Sequence, residues 1–415
     1  MTSRERILAA VNHLPVDRVP IDFGGTRQSG ISAWAYIRLR ERLGLALRRP
    51  ARIFDTYQML AEIEQDVADR FGADCVALNR PAIAFGIRNE NWKIFEFEGL
   101  RAEVPGGFNP EPDGEGGWVL RRDGQAIAAM PAGGFYFDRL EKYPGATHPD
   151  LATWRVPRLD ELTLEHFHVQ AELLFTGTDK AVIAALGPPY ELFNGIGQGG
   201  FEQWMLTFAS EPEYVNELYA ELVEAWLQNL VAFHAAVGDR VQIIQICDDF
   251  GTQHAPFLSA KMFRERLLPA YKRALDWIHG HTPWKVLLHS DGALVPLLPS
   301  IIEMGVDILN PVQTSAAGMN PEHLKREFGS RLVFWGGSCD PQSTFVYGTP
   351  REVAAETEKN LAVFTQGSGY VCAPIHNIQT NVPPDNVIAL FDTALNFHER
   401  PISSSQLPAA FTRPG

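Results

Sequence analysis

The stretch "KVLLHSDGALVPLLP" (residues 285–299) decides the fold. Its first half is an apolar run that reads as a buried strand, and it stops on His289, Ser290 and Asp291, followed at once by Gly292. An apolar run that turns polar only where it ends is the pattern of a parallel strand opening onto a site. His289 and Asp291 are two positions apart, so in an extended chain their side chains share one face and can chelate one ion.

Working outward, the same grammar repeats. Apolar runs at "RVPIDF" (18–23), "DCVALN" (74–79), "AVIAAL" (181–186), "VQIIQICDD" (241–249), "DILNPVQ" (307–313), "LVFWGG" (332–337) and "GYVCAPIHNIQ" (369–379) join "KVLLHSDG", each followed by a helical pattern. Eight strands alternating with helices predict an α/β protein, a (β/α)8 TIM barrel. The expected helices include 59–72, closed by Gly72, and the long segment 212–238. Asn320-Pro321 and Thr349-Pro350 read as a capping residue followed by proline at the first helical position. Residues 91–140 break the alternation with period-two segments between Gly and Pro clusters, which predicts an antiparallel β insertion. The expected organisation is one barrel domain over 1–400 and a loosely held tail over 401–415.

Composition bounds the function. A chain of 415 residues, 45% hydrophobic and 21% charged, has the make-up of a soluble globular protein. Its formal charge of −14 is spread without long runs, which argues against a nucleic-acid surface. No apolar run approaches the ~20 residues a bilayer span needs, and the charged N-terminus lacks a signal peptide's apolar segment, so no membrane and a cytoplasmic location are expected. Cys75, Cys247, Cys339 and Cys372 form no CxxC, which speaks against a disulfide framework or a zinc finger. No P-loop or dinucleotide fingerprint follows any run, and "GIGQGG" lacks the required lysine.

In such barrels the chemistry sits at the C-terminal ends of the strands. The polar residues found there are Asp248 and Asp249, His289 and Asp291, Asn310 and Gln313, Asp340, and His376, Asn377 and Gln379. A metal site of His289, Asp291 and His376 would have three ligands and an open position. The competing reading has Asp291 capping the next helix and His289 bonding substrate. Of the adjacent pair Asp248 and Asp249, one is expected to face the mouth for acid–base work. After the first run, "FGGTRQSGIS" offers Arg27 for a carboxylate, with Gln28 beside it; after the third, Tyr190 and Glu191 are candidate contacts.

These segments, in this order, resemble the uroporphyrinogen decarboxylase superfamily: "SRERILAAVNHLPVDRVPIDFGG", "HSDGALVPLLPSIIEMGVDILNPVQ", "GMNPEHLKREFGSRLVFWGG" and "GYVCAPIHNIQTNVPPDNVIALF". The resemblance runs from about Thr2 to Phe397, the β insertion apart, and implies a TIM barrel and one of two activities. One branch decarboxylates a tetrapyrrole's acetate arms without a cofactor; the other holds zinc-dependent methyltransferases that work with corrinoid proteins. Of the decarboxylase branch's RQAGR motif, "RQSGI" keeps Arg27, Gln28 and Gly30 but has Ile31 for the second arginine. Arg80 and Pro81 fall where that branch has its essential aspartate, while its late histidine matches His376. Against the methyltransferase branch's HxC and later cysteine, His289 matches, Asp291 replaces the first cysteine and His376 the second.

The resemblance therefore implies a zinc-dependent methyltransferase moving a methyl group to or from a corrinoid protein. Zn2+ would sit on His289, Asp291 and His376, a harder set than one with thiolates. The alternatives are a carboxy-lyase with His376 as acid, and a non-catalytic corrinoid- or tetrapyrrole-binding module. The expected partners are a small-molecule substrate and a corrinoid protein, with a homodimer left open.

Overall fold

The computed structural model of the chain describes residues 1–140, 148–197 and 200–397. The expected tail over 401–415, the last three positions of the expected domain and residues 198–199 of the glycine-rich stretch lie outside the described residues.

Seven of the apolar runs become β1 (Cys75–Leu78), β2 (Ala181–Ala185), β3 (Ile243–Cys247), β4 (Lys285–His289), β5 (Ile308–Asn310), β6 (Val333–Trp335) and β7 (Tyr370–Val371). They form one parallel sheet in sequential order. The eighth expected strand, at 18–23, is instead an isolated bridge at Ile21. Pro20 is the reason: it has no N–H, so the segment cannot carry a continuous ladder. It still joins the two edges of the curled sheet. Cys372 N–H donates to Pro20 O at 2.8 Å, Asp22 N–H to Cys372 O at 2.8 Å, and Asp74 N–H to Ile21 O at 2.7 Å.

Side-chain alternation divides the core in two. Ile243, Leu287, Ile308 and Val333 pack on the concave side with Ile7, Ala10 and Val11 of the first helix, Ser3–Val11, which plugs the N-terminal end. Ile244, Val286, Leu288, Leu309 and Phe334 face outward into the larger cluster under the helices. There Pro212–Val237 packs between Glu161–Gly177 and Leu268–His281, giving a mixed α/β, TIM-like arrangement. Among the described residues no helix is long and apolar enough to cross a membrane.

The predicted caps are present: Asn320 accepts from His323 N–H, and Thr349 forms a reciprocal capping box with Glu352. The expected helix over 59–72 is shorter, Gln65–Arg70, because Leu60–Ala61 pairs as a strand with Ala51–Asp55. Between β1 and β2 lie the strands expected over 91–140, from Lys93–Phe97 to Asp138–Arg139. They are antiparallel within two small sheets, with one exception: Leu100–Val104 pairs in parallel with Ala51–Asp55.

Candidate active site

Strand parity decides what reaches the concave side. In β3, Gln245 and Cys247 share the inward parity of Ile243, and Asp249 continues it, while Asp248 goes outward with Ile244 and Ile246. There the Asp248 carboxylate accepts from Phe193 N–H at 2.7 Å, Asn194 N–H at 2.8 Å and Tyr271 Oη–H at 2.7 Å. Burial pushes this carboxyl up to about 7 against the pull of those three donors. Asp248 is thus a post for the loop after β2 and not a group at the mouth. Asp249 accepts from Asp291 N–H at 2.8 Å. Burial raises its carboxyl, an effect that the nearby imidazoles of His289 and His376 oppose and Asp291 reinforces.

His289 ends β4 inside the sheet. Its Nδ1 lies 2.8 Å from Asn310 Oδ1, and Asn310 Nδ2 donates to the Trp335 carbonyl at 3.3 Å. A carbonyl only accepts, so the amide orientation is set: Nδ1 of His289 carries the proton and its Nε2 lone pair faces the mouth. This Nε2 is 3.8 Å from Asp291 Oδ2. One ligand atom from each of His289, Asp291 and His376 falls within 4.8 Å of the others. Burial holds the His376 imidazole below its ordinary range, in the neutral state that ligates metals, with Asp291 opposing. Two histidine nitrogens and a carboxylate, one histidine oriented from behind by an amide, form a donor set that fits a divalent ion. Asp291 caps no helix: the next turn begins at Val295 and has no side-chain cap bond.

Gly292 lets the loops meet. With φ +93°, a Cβ there would fall 2.5 Å from Gly251 C, so only glycine allows the loops after β3 and β4 to abut and bring Asp249 to Asp291.

The mouth holds two cavities. One of about 560 Å³ is lined by Asp291, His376, Gln313 and Gln379 together with Tyr57, Gln58, Phe135 and Tyr136. A second of about 250 Å³, over β1 to β3, is lined by Arg27, Arg80, Tyr190, Glu191 and Cys247. Asp55 stands between them. Its Oδ2 pairs with Arg27 Nε at 2.6 Å and its Oδ1 accepts from Tyr57 N–H at 2.9 Å and Gln58 N–H at 3.2 Å. Burial, then Asp248 and Asp249, push the half-buried Glu191 carboxyl well above its usual range; Arg27 opposes.

Several expected site residues serve the frame. Gln28 accepts from Gln245 Nε2 at 2.8 Å, and Gln313 accepts from Gly292 N–H at 2.8 Å. Asn377 donates to Gln58 Oε1 at 3.0 Å and accepts from Gln379. Asp340 organises its own turn, accepting from Ser343 Oγ–H at 2.6 Å and Gln342 N–H at 3.1 Å, and does not line either cavity. Sequence reasoning missed Asp55, Tyr57, Gln58, Phe135 and Tyr136; the "GGFYF" cluster was the one visible signal, aromatics beside a glycine turn.

A TIM-like sheet with its polar cluster at the C-terminal strand ends defines the broad class. Residues 139–397, well over half of the chain, match the family Uroporphyrinogen decarboxylase (URO-D), and the chain belongs to it. The uroporphyrinogen decarboxylase of Shewanella pealeana is 26% identical over 218 residues, covering 49% of this chain and 55% of that protein's length. That of Alkalilimnicola ehrlichii is 23% identical over 416 residues, covering 97% and 98%. In fold, the chain is similar to a methyltransferase from Methanosarcina mazei, at 18% identity and a TM-score of 0.56, over 95% of this chain and 98% of that one.

Proposed function

We propose that the chain is a single-domain (β/α)8-barrel enzyme that transfers a methyl group between a small molecule and a corrinoid protein, using zinc held by His289, Asp291 and His376. The observation that carries this reading is the oriented His289, whose Nε2 faces Asp291 while Asn310 holds its Nδ1. Zinc bound there would supply a Lewis acid, harder than a thiolate-bound ion, for polarising an oxygen- or sulfur-bearing group. The chain's own residues do the rest. Arg27, fixed by Asp55 through Nε, presents its remaining nitrogens to a substrate carboxylate. Asp249, beside the cluster, can hold a proton, and Gln379 and Gln313 line the cavity where the substrate would be oriented.

The second reading, a carboxy-lyase, draws on the relatives' names and on Arg27. Arg80 weighs against it: a cation lines the smaller cavity at the position where the decarboxylase branch has its aspartate.

The test is metal analysis of protein purified without a histidine tag. About one zinc per chain is expected, lost in both His289→Ala and His376→Ala. Zinc absent from the wild type, or retained in both variants, would refute the metal site. Visible spectra of methylcobalamin incubated with the enzyme and thiol or alcohol acceptors then read methyl transfer, and CO2 release from added carboxylates reads the alternative.

A further inference from the structure

We infer that the larger cavity takes the uncharged, flat part of a small aromatic monocarboxylate, with Tyr57, Phe135 and Tyr136 as the wall that sets specificity. The inference deepens the proposed function by naming a substrate class for the same mouth, and it rests on that reading for the location of the reacting group.

Three observations carry it. First, charge is divided between the cavities. Among the described residues the larger cavity has no Lys or Arg in its lining, whereas Arg27 and Arg80 both line the smaller one. With the open position of the proposed ion taken by the reacting group, a further carboxylate in the larger cavity would lose its hydration and meet Asp291 with no lysine or arginine in the lining to offset it. Asp291, the one acid in that lining, already faces both imidazoles, so it is poorly placed to hold an added ammonium.

Second, the wall is aromatic: Tyr57, Phe135 and Tyr136 line the larger cavity. The Tyr57 and Tyr136 rings lie 6.1 Å apart at 41°, within the range of aromatic contacts, and Tyr57 also meets the Phe85 edge at 6.1 Å. The loop that brings Phe135 and Tyr136 over the cavity turns at Gly133, with φ +71°, and is pinned by Phe137 N–H donating to Tyr57 O at 2.9 Å. The rest of the lining includes the amides of Gln58, Gln253, Gln313, Gln342 and Gln379, which suit polar but uncharged substituents on a ring.

Third, the two subsites are close. A single carboxylate, Asp55, holds Arg27 on one oxygen and the turn of Tyr57 on the other. The Arg27 subsite and the start of the wall are therefore held together by one side chain. A polycarboxylate would put its further charges into a cavity whose lining holds no lysine or arginine.

Calorimetric titration of the full chain with four probes tests this: benzoate, cyclohexanecarboxylate, benzene-1,3,5-tricarboxylate and benzyltrimethylammonium. Benzoate is expected to bind most tightly, with cyclohexanecarboxylate about 3- to 10-fold weaker because it offers no ring face. The tricarboxylate and the ammonium probe are expected to be weaker still. In a Phe135→Ala/Tyr136→Ala double variant, which alters an exposed loop, benzoate should fall to the level of cyclohexanecarboxylate, which itself should change little. Arg27→Gln should weaken both monocarboxylates alike. Equal binding of the two monocarboxylates to the wild type, a wall variant that keeps the preference, tight binding of the tricarboxylate or the ammonium, or no binding of benzoate would each overturn the inference. Zinc content of the same preparations separates the two ideas. Zinc present without ring preference strikes the inference alone, and ring preference without zinc strikes the metal reading alone.

Discussion

Asp74 at the N-terminal end of the curled sheet and the half-buried Asp291 and Glu191 at its C-terminal end are carboxylates held in opposite ways. At the N-terminal end Asp74, just before β1, is fully buried and saturated: Arg6 Nη1 reaches Oδ1 at 2.6 Å, Arg18 grips both oxygens at 2.8 Å, and Ile21 N–H adds a bond at 2.9 Å. At the C-terminal end, among the described residues, the Asp291 carboxylate has only His289, 3.8 Å away, within ion-pair reach, and the Glu191 carboxylate has no hydrogen bond or ion pair. A charge with every lone pair answered holds the fold; a cluster of donors and acids left open toward a cavity is arranged to meet something that arrives.

The sharpest way to break this comparison is Asp74→Ala. It removes the acceptor shared by Arg6 Nη1, Arg18 and Ile21 N–H, leaving Arg6 with the Asp17 carboxylate, and a loss of about 3–5 kcal/mol in urea unfolding is expected. A loss no larger than that of a surface mutation would deny the closed end its structural role.

Asp248→Asn comes next. It turns an amide toward three donors and should cost about 1–3 kcal/mol by the same assay. The pH dependence has a definite sign. The folded carboxyl is raised to about 7, so its stabilising contribution is fully present below about pH 4, the unfolded value, and is lost as pH rises through 7. The wild type should therefore lose stability relative to the variant between those values.

Asn310→Ala removes the bond that orients His289. Zinc affinity by chelator competition should fall about 10- to 100-fold, as for other outer partners of metal ligands. The smallest effect on the fold is expected from Asp291→Asn: unfolding of the metal-free protein should shift by no more than about 0.5 kcal/mol. A large destabilisation there would make Asp291 a structural residue like Asp74.

Much of this contrast was legible in the sequence, and the failures have physical causes. The strand ends were readable because burial on both faces leaves polar residues no place except the mouth, and so His289, Asp291 and His376 could be paired across about 87 residues of chain. The choice between Asp248 and Asp249 was also available. Gln245 is the one polar residue inside "IIQIC", and its parity is that of Asp249. The bridge at Ile21 follows from Pro20. By contrast, the strand Ala51–Asp55 was hidden because its partners, Leu60–Ala61 and Leu100–Val104, flank it in the sheet while both follow it in sequence, the second far along the chain and paired in parallel. With it went Asp55 and the aromatic wall. These depend on which loop arrives over which cavity, and local pattern carries no such information. Asp340 was a fair guess from position, but its side chain found nearer donors in its own turn.

The central claim is that the two histidines and Asp291 bind zinc without sulfur, and X-ray absorption on the zinc-loaded, tag-free protein tests it most directly. The expected spectrum has nitrogen and oxygen scatterers at about 2.0–2.1 Å with the outer-shell signature of two imidazoles. A sulfur shell at about 2.3 Å, or zinc whose imidazole signature survives in a His289→Ala/His376→Ala variant, would contradict it.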